Sequence, residues 1–143
     1  MEAIDFGSEL GRRVLERLRS EQVAWLTTVS PAGQPQPSPI WFLWRDGEIL
    51  IFSEPSASKV RNIRHNSRVS VSFNSDFHGG EVAIFEGRAQ LAADQMTGED
   101  AAAHADYVEK YQGGIESLNL TPESMLAQYS QLITITPTRL RGW

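Results

Sequence analysis

The chain has 143 residues, 41% of them apolar and 22% charged, and a net charge of −5 at pH 7. That suits one domain with a real core and is ordinary for a soluble globular protein. It has no cysteine, which excludes disulfides, thiolate metal sites and a cysteine nucleophile, and its acidic balance argues against nucleic acid as a main partner. No apolar run approaches the length of a membrane-spanning helix, so no membrane contact is expected. The first residues, MEAIDFGSEL, carry neither the basic nor the apolar region of a signal peptide. The expected location is therefore cytoplasmic.

Ser8–Arg19 reads as an amphipathic helix. Leu10, Val14, Leu15 and Leu18 fall at near-helical spacing, and Ser8 can cap the start. Gln22–Val29 is rich in β-branched and aromatic residues and predicts a strand. Ser30–Gln34 is a turn with both Pro and Gly. Pro35–Ser38 is extended, because alternating prolines disfavour helix. It belongs at a sheet edge, or where a strand leaves its ladder to meet a ligand. Ile40–Trp44 predicts a strand with large residues on both faces. Arg45-Asp46-Gly47 is a tight hairpin turn into a strand over Glu48–Ser53.

Ser53–Asn66 (SEPSASKVRNIRHN) then opens a short helix whose start carries Ser56, Ser58 and Lys59. Unpaired N–H groups and the helix dipole favour an anion at such a start. An ordinary capped surface helix with solvated basic residues is the competing reading. In Arg68–Asn74, Val69, Val71 and Phe73 alternate with polar residues, the pattern of a half-buried strand. Asp76–Gly80 is a turn. Glu81–Leu91 is another strand, with Gly87 marking a bulge or a close backbone approach. Thr97–Tyr111 is helical in pattern, with Gly113-Gly114 expected to end it. Thr121-Pro122-Glu123 opens a second short helix. Gln131–Thr136 is a last strand, interrupted at Pro137, and Thr138–Trp143 closes the chain.

The predicted order is helix, three strands, helix, two strands, two helices, strand. Hairpin-linked strands imply a mainly β (α+β) protein: an antiparallel sheet, closed or half closed as a barrel, with peripheral helices. No repeat or linker breaks the chain, so residues 1–143 read as one domain. The sequence has no Walker A motif, GxGxxG fingerprint, HExxH or GxSxG. His65, His78 and His104 sit in three unrelated settings, so no metal site is expected and no catalytic side chain stands out. An enzyme with so few reactive groups would depend on a cofactor that brings its own chemistry.

The chain resembles the pyridoxamine 5′-phosphate oxidase-like split β-barrel flavoproteins, an FMN-binding-like fold. The resemblance rests on QVAWLTTVSPAGQPQPSPIWF, on ILIFSEPSASKVRNIRHNSRVSVSF, on VAIFEGRAQL and on ITPTRLRGW. The S-x-S-K-x-x-N-I segment is its most specific part. The Pro-rich approach to a Trp-Phe strand and the closing PTRLRGW are similar to the branch that uses the deazaflavin coenzyme F420. Other members use FMN, which is the alternative cofactor. The resemblance implies a cofactor phosphate against Phe52, Ser53, Ser58 and Lys59, with Lys59 as its charge partner. It implies a tricyclic ring along Pro39–Phe42, meeting backbone groups of Ile40 and Trp41. Trp41 could equally be a core or interface aromatic. Asn62 matches a family position whose commoner role is local hydrogen bonding. Arg61 and Arg64 could reach an acidic tail or face water. Ile40 stands where FMN-dependent oxidases carry Arg, which departs from pyridoxamine phosphate oxidation. The implied protein is a homodimeric oxidoreductase that moves a hydride between deazaflavin and a small organic substrate. A non-enzymatic binder of flavin or another anionic ligand is a further alternative.

Overall fold

The computed structural model describes residues 3–93 and 96–143. Helix α1 (Glu9–Ser20) begins at Ser8, whose Oγ accepts the Gly11 N–H at 2.9 Å, and buries Val14 and Leu18. Next come β1 (Ala24–Val29), β2 (Pro35–Ile40), β3 (Leu43–Arg45) and β4 (Glu48–Ser53), then α2 (Ser58–His65). The second half holds β5 (Arg68–Ser72), β6 (Ala83–Leu91), α3 (Gly98–Lys110), α4 (Gln112–Ser117), α5 (Pro122–Gln128) and β7 (Gln131–Gly142).

The strands form one seven-stranded sheet in the order β2-β1-β5-β6-β7-β4-β3. Every neighbouring pair is antiparallel. The two outermost strands, β2 and β3, are consecutive in the chain, with only Trp41 and Phe42 between them. Three Cα steps span at most about 11 Å. The sheet must therefore curl until its two edges almost meet, which is the split barrel.

Inside the curl, Leu26, Phe42, Ile51, Phe85, Ile133 and Ile135 pack with Val14 and Leu18 of α1 and Val60 of α2. A second cluster lies outside it. There Leu50, Phe52 and Leu132 meet Ala103, Tyr107, Tyr111, Ile115 and Met125 of the α3–α5 segment. The period of a strand explains how β4 serves both. Ile49 and Ile51 face the inner core, while Leu50 and Phe52 face the helices.

Four strands stand between α1 and α2 and three helices between β6 and β7, where the sequence predicts three and two, and three further details differ from the pattern read along the chain. The Ile40–Trp44 strand is broken at Trp41–Phe42, because side chains of the α3–α4 segment take over the Phe42 backbone there. Gly113-Gly114 do not end a helix but lie inside α4. A Cβ at position 114 would sit 2.7 Å from Cη2 of Trp41, so the glycine admits the indole. Strand β7 runs on through Pro137, which lies beyond the residues of β7 that pair with β4. The missing N–H costs nothing on that side. A register shift at Glu86/Gly87 lets β6 follow it, and a Cβ on Gly87 would come 2.9 Å from Ile135 Cγ2.

The Asp46-Gly47 turn has φ of 50° and 77°, the left-handed pair of a type I′ hairpin. Thr97 caps α3 in a reciprocal box with Asp100. Thr97→Ala is expected to cost about 1 kcal/mol in urea denaturation, the usual loss for an N-cap hydroxyl.

Candidate functional site

The site begins with the prolines of β2. Pro35, Pro37 and Pro39 pair with Val29, Thr27 and Trp25 of β1. A ladder needs an N–H at every second residue, so Gln36, Ser38 and Ile40 must supply it. The prolines then turn outward, and the free edge of β2 offers carbonyls but no donors. Such an edge resists further strand addition.

Beyond Ile40 the chain leaves the ladder. The Phe42 N–H donates to Tyr111 Oη at 2.8 Å, and Lys110 Nζ donates to the Phe42 carbonyl at 2.8 Å. The single Tyr111 hydroxyl proton has two acceptors, Gln22 O at 2.7 Å and Phe42 O at 2.9 Å. Trp41 lies flat on the Tyr111 ring, with centroids 4.6 Å apart and planes 1° apart. Two side chains at the α3–α4 joint thus fix the segment that precedes β3.

Opposite lies the start of α2. Its N-cap is Ala57, which has no side chain able to cap, so the capped-helix reading does not describe it. The Ser58 and Lys59 N–H groups have no partner among the described residues. Ser58 Oγ has one long contact, from Arg61 Nη2 at 3.5 Å. Ser53 is buried, and its hydroxyl donates to the Glu54 carbonyl at 3.0 Å. Glu54 is held by Gln128, whose Nε2 donates to Oε1 at 3.1 Å. Burial lowers the Lys59 pKa from its ordinary value, and nearby Glu54 partly restores it.

A cleft of about 360 Å³ runs between these elements. Of the residues singled out from sequence, Ile40, Trp41, Phe52, Ser53 and Lys59 line it. Ser58 lines a second groove, of about 530 Å³, which meets the cleft at Ala57 and Lys59. Phe52 also packs edge-on against His104 and Tyr107. Trp41 does two jobs, lining the cleft and joining the outer core. Asn62 does not bond locally but across the fold, donating to Thr28 of β1 and Gln36 of β2. The far wall of the cleft is Tyr107, Leu118, Leu120, Met125 and Tyr129. Sequence reading did not find this wall, because the α4–α5 segment has no motif. Among the described residues none of the three histidines lines the cleft, no group of carboxylates and histidines could hold a metal, and no helix is long and apolar enough to cross a membrane.

Burial raises the Tyr107 pKa, with Tyr111 and Tyr129 adding to it. That hydroxyl stays protonated at neutral pH and can donate but not act as a base. Lys110 is pulled down to about 8 by burial, against the pull of Glu21. Between pH 8 and its ordinary 10.5 the unfolded chain binds that proton more tightly than the folded one. Stability from this group therefore rises with pH across that window. Wild type is expected to gain stability relative to Lys110→Met as pH goes from about 8 to 10, read from paired urea melts.

Residues 10–143 match the family model described as pyridoxamine 5′-phosphate oxidase. No curated protein matches by sequence. Among solved structures, HutZ, the heme storage protein from Vibrio cholerae, superposes with a TM-score of 0.73 at 19% identity, over 94% of this chain and 95% of that one. A putative pyridoxamine 5′-phosphate oxidase from Listeria innocua gives 0.70 at 21%, over 93% and 97%. An F420 reductase gives 0.66 at 23%, over 88% and 94%. At these identities the likeness is one of fold.

Proposed function

The chain belongs to the pyridoxamine 5′-phosphate oxidase family, and from that premise we propose that it is an oxidoreductase using coenzyme F420 on a small organic substrate. One observation carries the reading. An uncapped helix start with Lys59 beside it opens directly into an apolar, aromatic-walled cleft. A flat ring joined to a phosphate has that same division into an apolar and an anionic end.

Lys59 and the free N–H groups of Ser58 and Lys59 would hold the phosphate. The Ser58 hydroxyl would add a donor. The buried Ser53 and the Phe52 wall would shape the passage to the ring. Ile40 and Trp41 would bound the ring, with the Trp41 backbone toward its edge, since the Ile40 N–H is spent in the ladder with β1. Bound in reduced form, the deazaflavin supplies the hydride. The chain's part is to fix the ring, keep Tyr107 as a neutral donor in the wall, and exclude water with Leu118, Leu120 and Met125. Ile40, where the resemblance has Arg in FMN-dependent oxidases, argues against pyridoxamine phosphate oxidation as the reaction. FMN is the second reading, as the cofactor that the family resemblance implies for other members.

A cytoplasmic homodimer is part of the same proposal. Phe77 is fully exposed at the β5–β6 turn and Trp143 is largely so. Large rings in water are candidates for burial by a second copy.

Side-by-side titration with F420 and FMN, followed by ring fluorescence, tests the cofactor. Saturable F420 binding below tens of micromolar is expected. Tight FMN binding with no F420 binding in that range would sink the deazaflavin assignment. Oxidation of bound reduced F420 by added acceptors tests the enzymatic part, and its failure with a broad acceptor panel would leave a binding protein.

A further inference from the structure

Two tyrosines one helical turn apart use their hydroxyls differently. Tyr111 donates to backbone carbonyls, those of Gln22 and Phe42. Tyr107 lines the cleft and is 2% exposed. Among the described residues, Arg45 Nη1 is the one buried side-chain atom that is both sealed and unpartnered. The Tyr107 hydroxyl, which no described residue bonds, is therefore not sealed but opens on the cleft that its ring lines.

That ring is wedged, with centroids 4.9 Å from Phe52 and 4.9 Å from Tyr111. Its direction is fixed before anything binds, so a ligand that bonds to the hydroxyl takes little further rotamer freedom from it. Burial keeps the hydroxyl protonated, as a donor. A ligand that fills the cleft without an acceptor there leaves this donor dry and unpaired, which is costly.

The charges of the cleft narrow the choice of ligand. Among the described residues, Lys59 is its only lining cation and Glu54 its only lining carboxylate. Once Lys59 holds a phosphate, no cation is left for a second anion, and Glu54 repels one. Leu118, Leu120 and Met125 offer apolar contact to the rest of the ligand.

We propose that Tyr107 is the residue that grips the substrate: its hydroxyl donates to an uncharged oxygen, as of a carbonyl or nitro group, on an otherwise apolar molecule, and Glu54 turns away carboxylate-bearing analogues. The inference rests on the cofactor reading of the cleft.

Three probes of similar shape test it. Benzalacetone carries a ketone oxygen, cinnamate a carboxylate in its place, and trans-β-methylstyrene no oxygen. Each is titrated by calorimetry into protein loaded with oxidised cofactor, F420 or FMN according to which wild type binds, so that no turnover occurs. Thermal melting checks the fold of each variant. Wild type is expected to bind benzalacetone at least about 10-fold more tightly than cinnamate. Tyr107→Phe keeps the wedged ring and is expected to weaken benzalacetone by about 3–10-fold, with the cofactor and trans-β-methylstyrene within about two-fold of wild type. Glu54→Gln keeps the Oε1 that Gln128 holds and is expected to narrow the gap between ketone and carboxylate. Unchanged benzalacetone affinity in Tyr107→Phe would overturn the inference, as would equal losses for the ketone and the hydrocarbon. Cinnamate bound by wild type as tightly as benzalacetone, a gap that Glu54→Gln leaves unchanged, or no binding of the ketone would also overturn it. If neither cofactor binds wild type, the reading of the cleft fails before any probe is added, a result distinct from these.

Discussion

Lys59→Ala lowers affinity for a phosphate-bearing flavin or deazaflavin by about 10–100-fold and leaves riboflavin within about two-fold. The size follows from one charge-assisted hydrogen bond, about 1.5–3 kcal/mol. Riboflavin is the control because it has a ring and no phosphate. The same residue sets a pH dependence. Burial lowers the Lys59 pKa, so the ammonium is lost at lower pH than for an exposed lysine. Phosphate affinity therefore falls as pH rises through that lowered value, and the fall is absent in Lys59→Ala. Isothermal titration at several pH values checks both parts. Equal losses for riboflavin and FMN would mean that Lys59 supports the cleft rather than the phosphate.

Tyr111→Phe is expected to destabilise the protein by about 1–3 kcal/mol. The phenyl ring can still stack on Trp41, and Lys110 still serves the Phe42 carbonyl. What is lost is the only partner of the Phe42 N–H among the described residues, at a residue that is fully buried. An unsatisfied buried donor costs more than the net value of the bond it loses. Because Trp41 is next in the chain and lines the cleft, cofactor affinity should fall as well. Urea denaturation and titration of the same preparation measure the two effects. A stability loss below about 0.5 kcal/mol would remove Tyr111 from its role as the anchor of this segment.

These two residues also mark how far the sequence could be read. The strands were legible because Val69, Val71 and Phe73 alternate, and because Asp46-Gly47 is a strong hairpin signal. The prolines of β2 identified a sheet edge, since only there can three missing N–H groups face away from the ladder. The start of α2 is read as an anion site from its residue types alone, and the structure adds that its N-terminus has no side-chain cap. Nothing in the sequence marks that missing cap, because Ser56 and Ser58 flank an N-cap that turns out to be Ala57.

The other half of the cleft left no local trace. Tyr111 acts on Gln22 and Phe42, residues far away in the chain, and no periodicity encodes that contact. Gly113-Gly114 resemble a helix stop in isolation. Only the approach of Trp41 explains why position 114 has no side chain while the helix continues. Long-range packing decided both cases, as it did when β7 ran through Pro137.

The account turns on where a cofactor lies, so a crystal structure of the protein with F420 tests it most directly. The expected result places the ring against Ile40 and Trp41, with its phosphate within hydrogen-bonding distance of Lys59 Nζ and the Ser58 N–H. A ligand bound elsewhere, with Lys59 making no contact to it, would contradict the account.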